Sequence, residues 1–186
     1  MMRRVTGSKG RQGAARGILG LLAALAAAPL CAQGSGGLDP LLADLAGSDP
    51  QARLGAAYAA CLAGDGDSAK TDAIFTGAGW DRIAEPEMGV VEFTGPDRRQ
   101  FAMIQDVDGF CMVLDEGTGT DAARIVLNGV VAAAGYQSKP VQQPGGDCPL
   151  TELKPGLVAE LTSSGNDPVC ETPGSSGVRF SWETAE

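Results

Sequence analysis

The sequence predicts an α+β domain in which N-terminal helices and one further helix cover an antiparallel sheet, with disulfide bonds adding stability. Three observations lead to this prediction. Apolar residues recur at helical spacing between residues 39 and 76, they alternate with other residues from residue 89 onward, and four cysteines follow an export signal. Helices in one block and strands in another are typical of α+β domains.

Residues 1–32 have the pattern of a cleavable export signal. A leader with five basic and no acidic residues precedes an apolar stretch from Ile18 to Leu30, and the small residue Ala32 marks the cleavage point before Gln33. The stretch is shorter than the roughly 20 apolar residues of a membrane span. We therefore expect a periplasmic or secreted protein with no membrane span after cleavage.

Two other export signals fit the leader less well. The pair Arg3-Arg4 lacks the hydrophobic residues that follow the pair in a twin-arginine signal. Cys31 follows Leu30, whereas the cysteine of a lipidation signal follows a small residue. We expect Cys31 to be lost with the signal, and lipidation of this residue remains the alternative.

Removal of the signal leaves a strongly acidic protein. Five of the 14 basic residues lie in the leader, so nine remain against 23 acidic residues and the mature net charge is −14. This charge repels phosphate backbones, which excludes nucleic acid, and it favours a cationic protein or peptide as partner. After a flexible Gly/Ser-rich linker at 33–37, residues 38–186 have the length of a single domain.

The mature chain retains an even number of cysteines, and an oxidising compartment favours disulfide bonds between them. Three pairings are possible. We expect Cys61–Cys111 and Cys148–Cys170, because each pair joins neighbouring segments of the predicted layout. Each bond would stabilise the fold by ~2–4 kcal/mol by restricting the unfolded chain.

Four helices are predicted along the chain. An aspartate followed by a proline suits the N-cap and the first helical position, and this pair opens the first two helices. The predicted bounds are Asp39 to Gly47, Asp49 to Ala63, Ala69 to Thr76 and Asp121 to Ala134, with Asp39, Asp49, Ser68 and Thr120 as caps.

The predicted strands begin at residue 90. Asp108-Gly109 is the strongest turn signal, because glycine accepts the positive φ of a tight hairpin. Short connections make the first three strands an antiparallel meander. The predicted strands are Val90–Thr94, Gln100–Gln105, Phe110–Leu114, Pro149–Leu153, Leu157–Thr162 and a half-buried last strand with Val178, Phe180 and Trp182; residues 137–147 are a predicted loop.

Familiar catalytic and cofactor sites find no support in the sequence. The chain contains no histidine, so it lacks Ser-His-Asp, Cys-His and His-Glu-x-x-His arrangements. It also lacks a C-x-x-C pair. Ser175 and Ser176 lie between glycines without the G-x-S-x-G spacing of an exposed nucleophile, and we predict a flexible loop there.

Acidic residues near the central hairpin leave one enzymatic alternative open. Glycoside hydrolases need two carboxylates at a controlled separation. Asp106, Asp108, Asp115 and Glu116 are the candidates. A carboxylate-dependent hydrolase acting on cell-envelope polysaccharide would require two of them in one concave pocket, whereas turn chemistry and solubility explain their positions without catalysis.

Calcium is the best metal candidate, since its ligands are oxygen atoms. The segment 65–68, with the sequence DGDS, begins like a calcium loop. Its sixth position is Lys70 in place of glycine and its twelfth is Thr76 in place of glutamate. We therefore predict no metal site and no cofactor, and a loop that leads into the third helix.

Three segments together resemble small exported alphaproteobacterial proteins of unknown function. They are Ala-Cys-Leu at 60–62, Ala-Gly-Trp at 78–80 and Phe-Cys-Met-Val at 110–113. The resemblance covers roughly residues 50 to 135 and implies no activity. The preferred interpretation is an exported, disulfide-stabilised and non-enzymatic domain that binds a protein or peptide. The alternatives are the hydrolase and a calcium-dependent module.

Overall fold

The structure, a computed structural model, describes residues 37–105, 109–141 and 148–182. The predicted features outside these residues are the signal peptide at 1–32, the linker before Gly37, the acidic candidates Asp106 and Asp108, and the part of the predicted loop at 142–147. The described residues have the predicted α+β arrangement of helices on an antiparallel sheet, with two disulfide bonds. None of their helices has the length and apolarity that a membrane crossing requires.

Four α-helices lie in the described part of the chain. They are α1 at Asp39–Leu42, which continues as a 3-10 turn at Ala43–Ala46, α2 at Pro50–Gly64, α3 at Ser68–Gly77 and α4 at Thr120–Ala133. The start of α2 is the predicted one, because the Asp49 carboxylate accepts the backbone N–H groups of Gln51 and Ala52 at 2.8 and 3.1 Å. Every residue of α2 from Arg53 onward is buried, so α2 is the central helix of the fold.

Three of the predicted helix caps are wrong. Leu38 is buried and already has helical backbone angles, which places Asp39 inside α1. Asp67 caps α3 in place of Ser68, because its carboxylate accepts the backbone N–H of Lys70 at 3.0 Å. Gly119 precedes α4, and the Thr120 hydroxyl, instead of capping the helix, accepts the backbone N–H of residue 172 at 3.1 Å.

The described strands form one sheet in which all neighbours are antiparallel. The spatial order is β1-β2-β3-β4-β8-β7-β6-β5. The strands are β1 Asp81–Glu85, β2 Val90–Thr94, β3 Gln100–Gln105, β4 Phe110–Asp115, β5 Lys139–Val141, β6 Leu150–Lys154, β7 Leu157–Thr162 and β8 Ser176–Trp182. The predicted meander is confirmed, and β8 joins it to the second group of strands by pairing with both β4 and β7.

The sequence prediction differs from the structure at the sheet edges and in its centre. The edge strands β1 and β5 were not predicted: β1 is exposed and lacks apolar alternation, and β5 falls in the predicted loop and contains Pro140. The predicted flexible loop at Ser175-Ser176 is wrong at its second residue. Ser176 begins the central strand β8 and is buried, because β4 and β7 flank it.

One face of the sheet packs against the helices and forms the core. The disulfide Cys61–Cys111 joins α2 to β4, with a Cα–Cα distance of 5.7 Å. The rings of Phe75 and Phe93 stack at 4.9 Å between α3 and β2, and Trp80 meets Phe75 edge-on at 5.0 Å. The second disulfide, Cys148–Cys170, lies away from this core and holds the segment between β7 and β8 against the residues before β6.

Candidate functional site

The sheet has a covered face and an open face, which alternate along β3 and β4. Ala102, Ile104, Cys111 and Val113 are buried, and the disulfide of Cys111 to α2 shows that this face meets the helices. Successive strand residues point to opposite faces. The intervening residues are half-buried and line a face that none of the described helices covers: Phe101, Met103, Met112 and Leu114.

An apolar groove of about 210 Å³ runs over the open face of β2, β3 and β4. The cross-strand pairs Phe101–Leu114 and Met103–Met112 form its floor. Glu92 lies opposite Met103 on β2 and brings a carboxylate to the rim. The groove therefore offers a polarizable apolar surface beside a negative charge.

The segment between β7 and β8 bounds the groove on one side. A Cβ at Gly165, whose φ is +84°, would lie 2.6 Å from the Met112 Sδ, so this backbone packs directly on the methionine. The Gly165 N–H donates to Thr162 Oγ1 at 2.6 Å, which fixes the turn. A Cβ at Gly177 would overlap the backbone at Ser164 and Gly165, so glycine at 177 allows the segment to cross the sheet.

The edge strand β1 lies next to β2, beyond the groove on the other side. Ile83 pairs with Glu92, which places its side chain on the open face, where it is 58% exposed. Asp81 and Glu85 lie two residues before and after it and therefore share this face. Met88, in the turn between β1 and β2, is also 58% exposed. Exposed apolar side chains are thus present at the edge of the sheet, where Glu92 separates Ile83 from the methionines of the groove.

The charged side chains on the open face of β1 to β4 are not balanced by opposite charges. Five carboxylates of the described residues form ion pairs with arginine or lysine, and none of the five lies on this part of the open face: Asp65, Asp72, Asp97, Asp115 and Glu152. Asp81, Glu85 and Glu92 form no ion pair within the described part of the chain. The outward positions of β1 to β4 include no basic residue, and Arg179 of β8 places its guanidinium over the Phe110 ring at 4.5 Å. On β1 and β2 the charge without an ion pair is therefore negative, whereas Arg179 lies opposite Met112 on the β8 side of the groove.

The predicted catalytic carboxylates do not form an open pair in the described residues. Asp115 is fully buried on the covered face, where its carboxylate accepts Arg99 Nε at 3.1 Å and Gln100 Nε2 at 2.7 Å. Glu116 is exposed on the following turn. Asp106 and Asp108 lie outside the described residues. Because Asp115 lines none of the described cavities and serves two donors, its role is to hold the fold together.

A buried polar network, which the sequence did not reveal, connects Asp115 to α2. Gln100 Oε1 accepts Arg53 Nε at 2.6 Å, and Arg53 also pairs with Asp97. The Arg53 side chain is only 2% exposed, and Gln100 is inaccessible. Since each charged member has an opposite charge and hydrogen bonds, the network satisfies the requirements for burying ions. It fixes the N-terminal end of α2 on β3 and β4.

The acidic loop at 65–68 has structural partners. Asp65 Oδ1 accepts Lys154 Nζ at 2.6 Å and Trp182 Nε1 at 3.3 Å, and the hydrogen bond from Lys154 lowers the pKa of this carboxyl. The Asp67 carboxylate is occupied as the cap of α3. In the part of the chain that the structure describes, no group of three or more His, Cys, Asp or Glu side chains is arranged to hold a metal ion.

Two further features are less suited to binding. A cavity of about 420 Å³ opens where α4 begins, between Thr120 and Pro173. The helix N-terminus favours anions, but Asp121 and Glu171 in the same wall repel them, so the two effects oppose each other. The Tyr58 hydroxyl has no hydrogen-bond partner among the described residues, and burial raises its pKa, yet no open surface reaches it.

The groove on the open face remains the best-formed surface for a partner, because it combines concave apolar lining with uncompensated charge at its rim. Comparison of the chain with known protein families, curated proteins and solved structures finds no match.

Proposed function

We propose that this protein is an exported, disulfide-stabilised domain that binds a cationic protein or peptide on the open face of its sheet. The observation that carries the proposal is the apolar groove formed by Phe101, Met103, Met112 and Leu114. Contiguous apolar surface on a soluble domain marks an interaction site more often than chance exposure does. Methionine adapts its shape and is enriched at surfaces that accept peptides.

Charge supports a cationic partner. Glu92 at the rim and Asp81 and Glu85 beside it share the open face of β1 to β4 with no basic residue, and the mature chain is strongly acidic. Complementary charge speeds association and selects partners. The two disulfide bonds and the signal-like leader support action outside the cytoplasm, where disulfides persist.

Capture of proteins from an exported fraction tests this function. The double substitution Met103→Gln and Met112→Gln keeps side-chain length but makes the groove polar, and Ile125→Gln is the control, since Ile125 is 71% exposed on α4. We expect immobilised wild type and the control to retain a basic protein that the groove variant loses, with less retention at high salt. Equal retention by all three proteins, or retention that salt does not change, would overturn the proposal.

A further inference from the structure

The two edges of the sheet are protected differently. β5 has three residues, and its central Pro140 has no N–H to donate, while Lys139 is held by Glu152 at 2.7 Å. Such features block the pairing of a further strand. β1 has five residues without proline or lysine, and among the described residues it pairs with β2 alone. The outer edge of β1 therefore has backbone N–H and C=O groups with which an additional strand could form hydrogen bonds.

The side chains of β1 divide their roles between the two faces. Arg82 points to the covered face, where its guanidinium contacts the Asp72 carboxylate of α3 at 2.8 to 3.0 Å. This pair holds the edge strand against the helix layer. Asp81, Ile83 and Glu85 point to the open face without an ion pair in the described part of the chain. The edge is thus held in an extended conformation and presents an acidic–apolar–acidic row.

We infer that β1 accepts an extended cationic segment of another protein as an additional strand of the sheet. The inference rests on the proposed function, since it describes how the partner reaches the open face. Strand addition gains affinity from backbone hydrogen bonds and specificity from alternate side chains. The row on β1 selects a five-residue pattern in which an apolar residue opposite Ile83 is flanked, two positions away on each side, by lysine or arginine opposite Asp81 and Glu85.

Charge decides between this occupant and a second copy of the chain. If two β1 strands paired antiparallel in full overlap, Asp81 of each copy would lie opposite Glu85 of the other. Like charges directly opposite each other destabilise a strand pair. The net charge of −14 on each mature chain adds repulsion. A basic segment meets neither obstacle.

Titration of the 15N-labelled mature domain with synthetic peptides tests the inference by NMR. The probe is the capped peptide Thr-Lys-Thr-Val-Thr-Lys-Thr, and the control replaces both lysines with glutamate. We expect the lysine peptide to shift the amide signals of residues 81–85 and to bind about tenfold more tightly than the control. Equal binding of both peptides, or shifts confined to other strands, would overturn the inference.

Backbone methylation separates strand addition from simple charge attraction. In an added strand, the N–H groups of alternate residues point toward β1. N-methylation of one alternate set should abolish binding, and N-methylation of the other set should preserve it. If both methylated peptides bind like the parent, the segment does not pair with the edge.

Reversing the charges on β1 tests the inference from the side of the protein instead of the peptide. The double substitution Asp81→Lys and Glu85→Lys lies on exposed or half-buried side chains, and it should reverse the preference toward the glutamate peptide. An unchanged preference would overturn strand addition at β1. The groove variant with Met103→Gln and Met112→Gln tests the proposed function separately: if it loses partner capture while the charge swap has no effect, the function stands and the β1 inference fails.

Discussion

Gln100 and Asp115 lie directly opposite each other on β3 and β4 and form a fully buried hydrogen bond, with 2.7 Å between Nε2 and Oδ2. Gln100 also donates to the backbone carbonyl of Pro50 at 2.6 Å and accepts Arg53 Nε. One amide side chain on β3 therefore satisfies groups on β4 and on α2. The position of α2 over the sheet depends on it.

Substitution of Gln100 by leucine should destabilise the fold strongly. Leucine has a similar size but leaves Arg53 without one of its acceptors and Asp115 without one of its donors, and buried groups that lose a partner cost about 1–3 kcal/mol each. We expect the free energy of unfolding in urea to fall by about 3 kcal/mol. Gln105→Leu, at the other end of the same strand and half-buried, is the control and should change it by less than about 0.5 kcal/mol. Equal effects would contradict a role for the network.

Substitution of glycine by alanine should have opposite effects at two positions. At Gly177 the new Cβ would overlap the backbone of the segment that crosses the sheet, whereas at Gly129 in α4 no atom lies within 4 Å. Gly177→Ala should therefore destabilise by about 1–3 kcal/mol or more. Gly129→Ala should stabilise by about 0.5–1 kcal/mol, since alanine favours the helix. Thermal unfolding of both variants measures the contrast, and a stable Gly177→Ala variant would show that the segment does not pack on β8.

Removal of the two disulfide bonds should lower the free energy of unfolding by unequal amounts. The sequence separation is 50 residues for Cys61–Cys111 and 22 for Cys148–Cys170. Loop-closure entropy predicts about 4 kcal/mol for the first and about 3 kcal/mol for the second. The first pair also lies in the core, where alanines would leave space. Paired alanine variants compared by urea unfolding should rank in this order, and a larger loss for the second pair would contradict it.

The sequence predicted the strands whose conformation is determined by their own apolar alternation and by the turn residues beside them. The bounds of β2, β3 and β7 agree residue for residue with the predicted strands, because alternation and turn residues lie within each segment. The charged and exposed strand β1 has no such pattern and owes its conformation to pairing with β2. A strand whose conformation depends on pairing with its neighbour cannot be predicted from its own residues alone.

The sequence alone could not locate the candidate site, because the position of the site follows from contacts between residues that are distant in the chain. Alternation shows that Met103 and Ala102 point to opposite faces, but the disulfide of Cys111 to α2 shows which face the helices cover. Asp115 had the sequence features of a turn residue, and its burial depends on Gln100, 15 positions earlier. The small side chains of Ala102 and Cys111, which allow a helix to pack closely, were the feature of the sequence that could have indicated the covered face.

Asp65 should make the stability depend on pH at the acidic end. The hydrogen bond from Lys154 lowers the pKa of Asp65 below its ordinary value, so the folded state favours the charged carboxylate. This stabilisation is complete above the unfolded pKa of about 3.9 and is lost as the pH falls through the lower folded pKa. Its size is below about 1 kcal/mol, because the Asp65 side chain is 54% exposed and solvent screens the pair.

Asp65→Asn isolates this contribution, since asparagine tolerates the left-handed backbone at this position, where φ is 54°. Urea midpoints of wild type and variant should differ at pH 7, and the difference should shrink as the pH falls toward the lowered pKa of Asp65. Lys154→Met removes the same hydrogen bond from the other side and should give the same decrease. A difference between wild type and Asp65→Asn that is as large at pH 3 as at pH 7 would show that the carboxylate acts through packing and not through its charge.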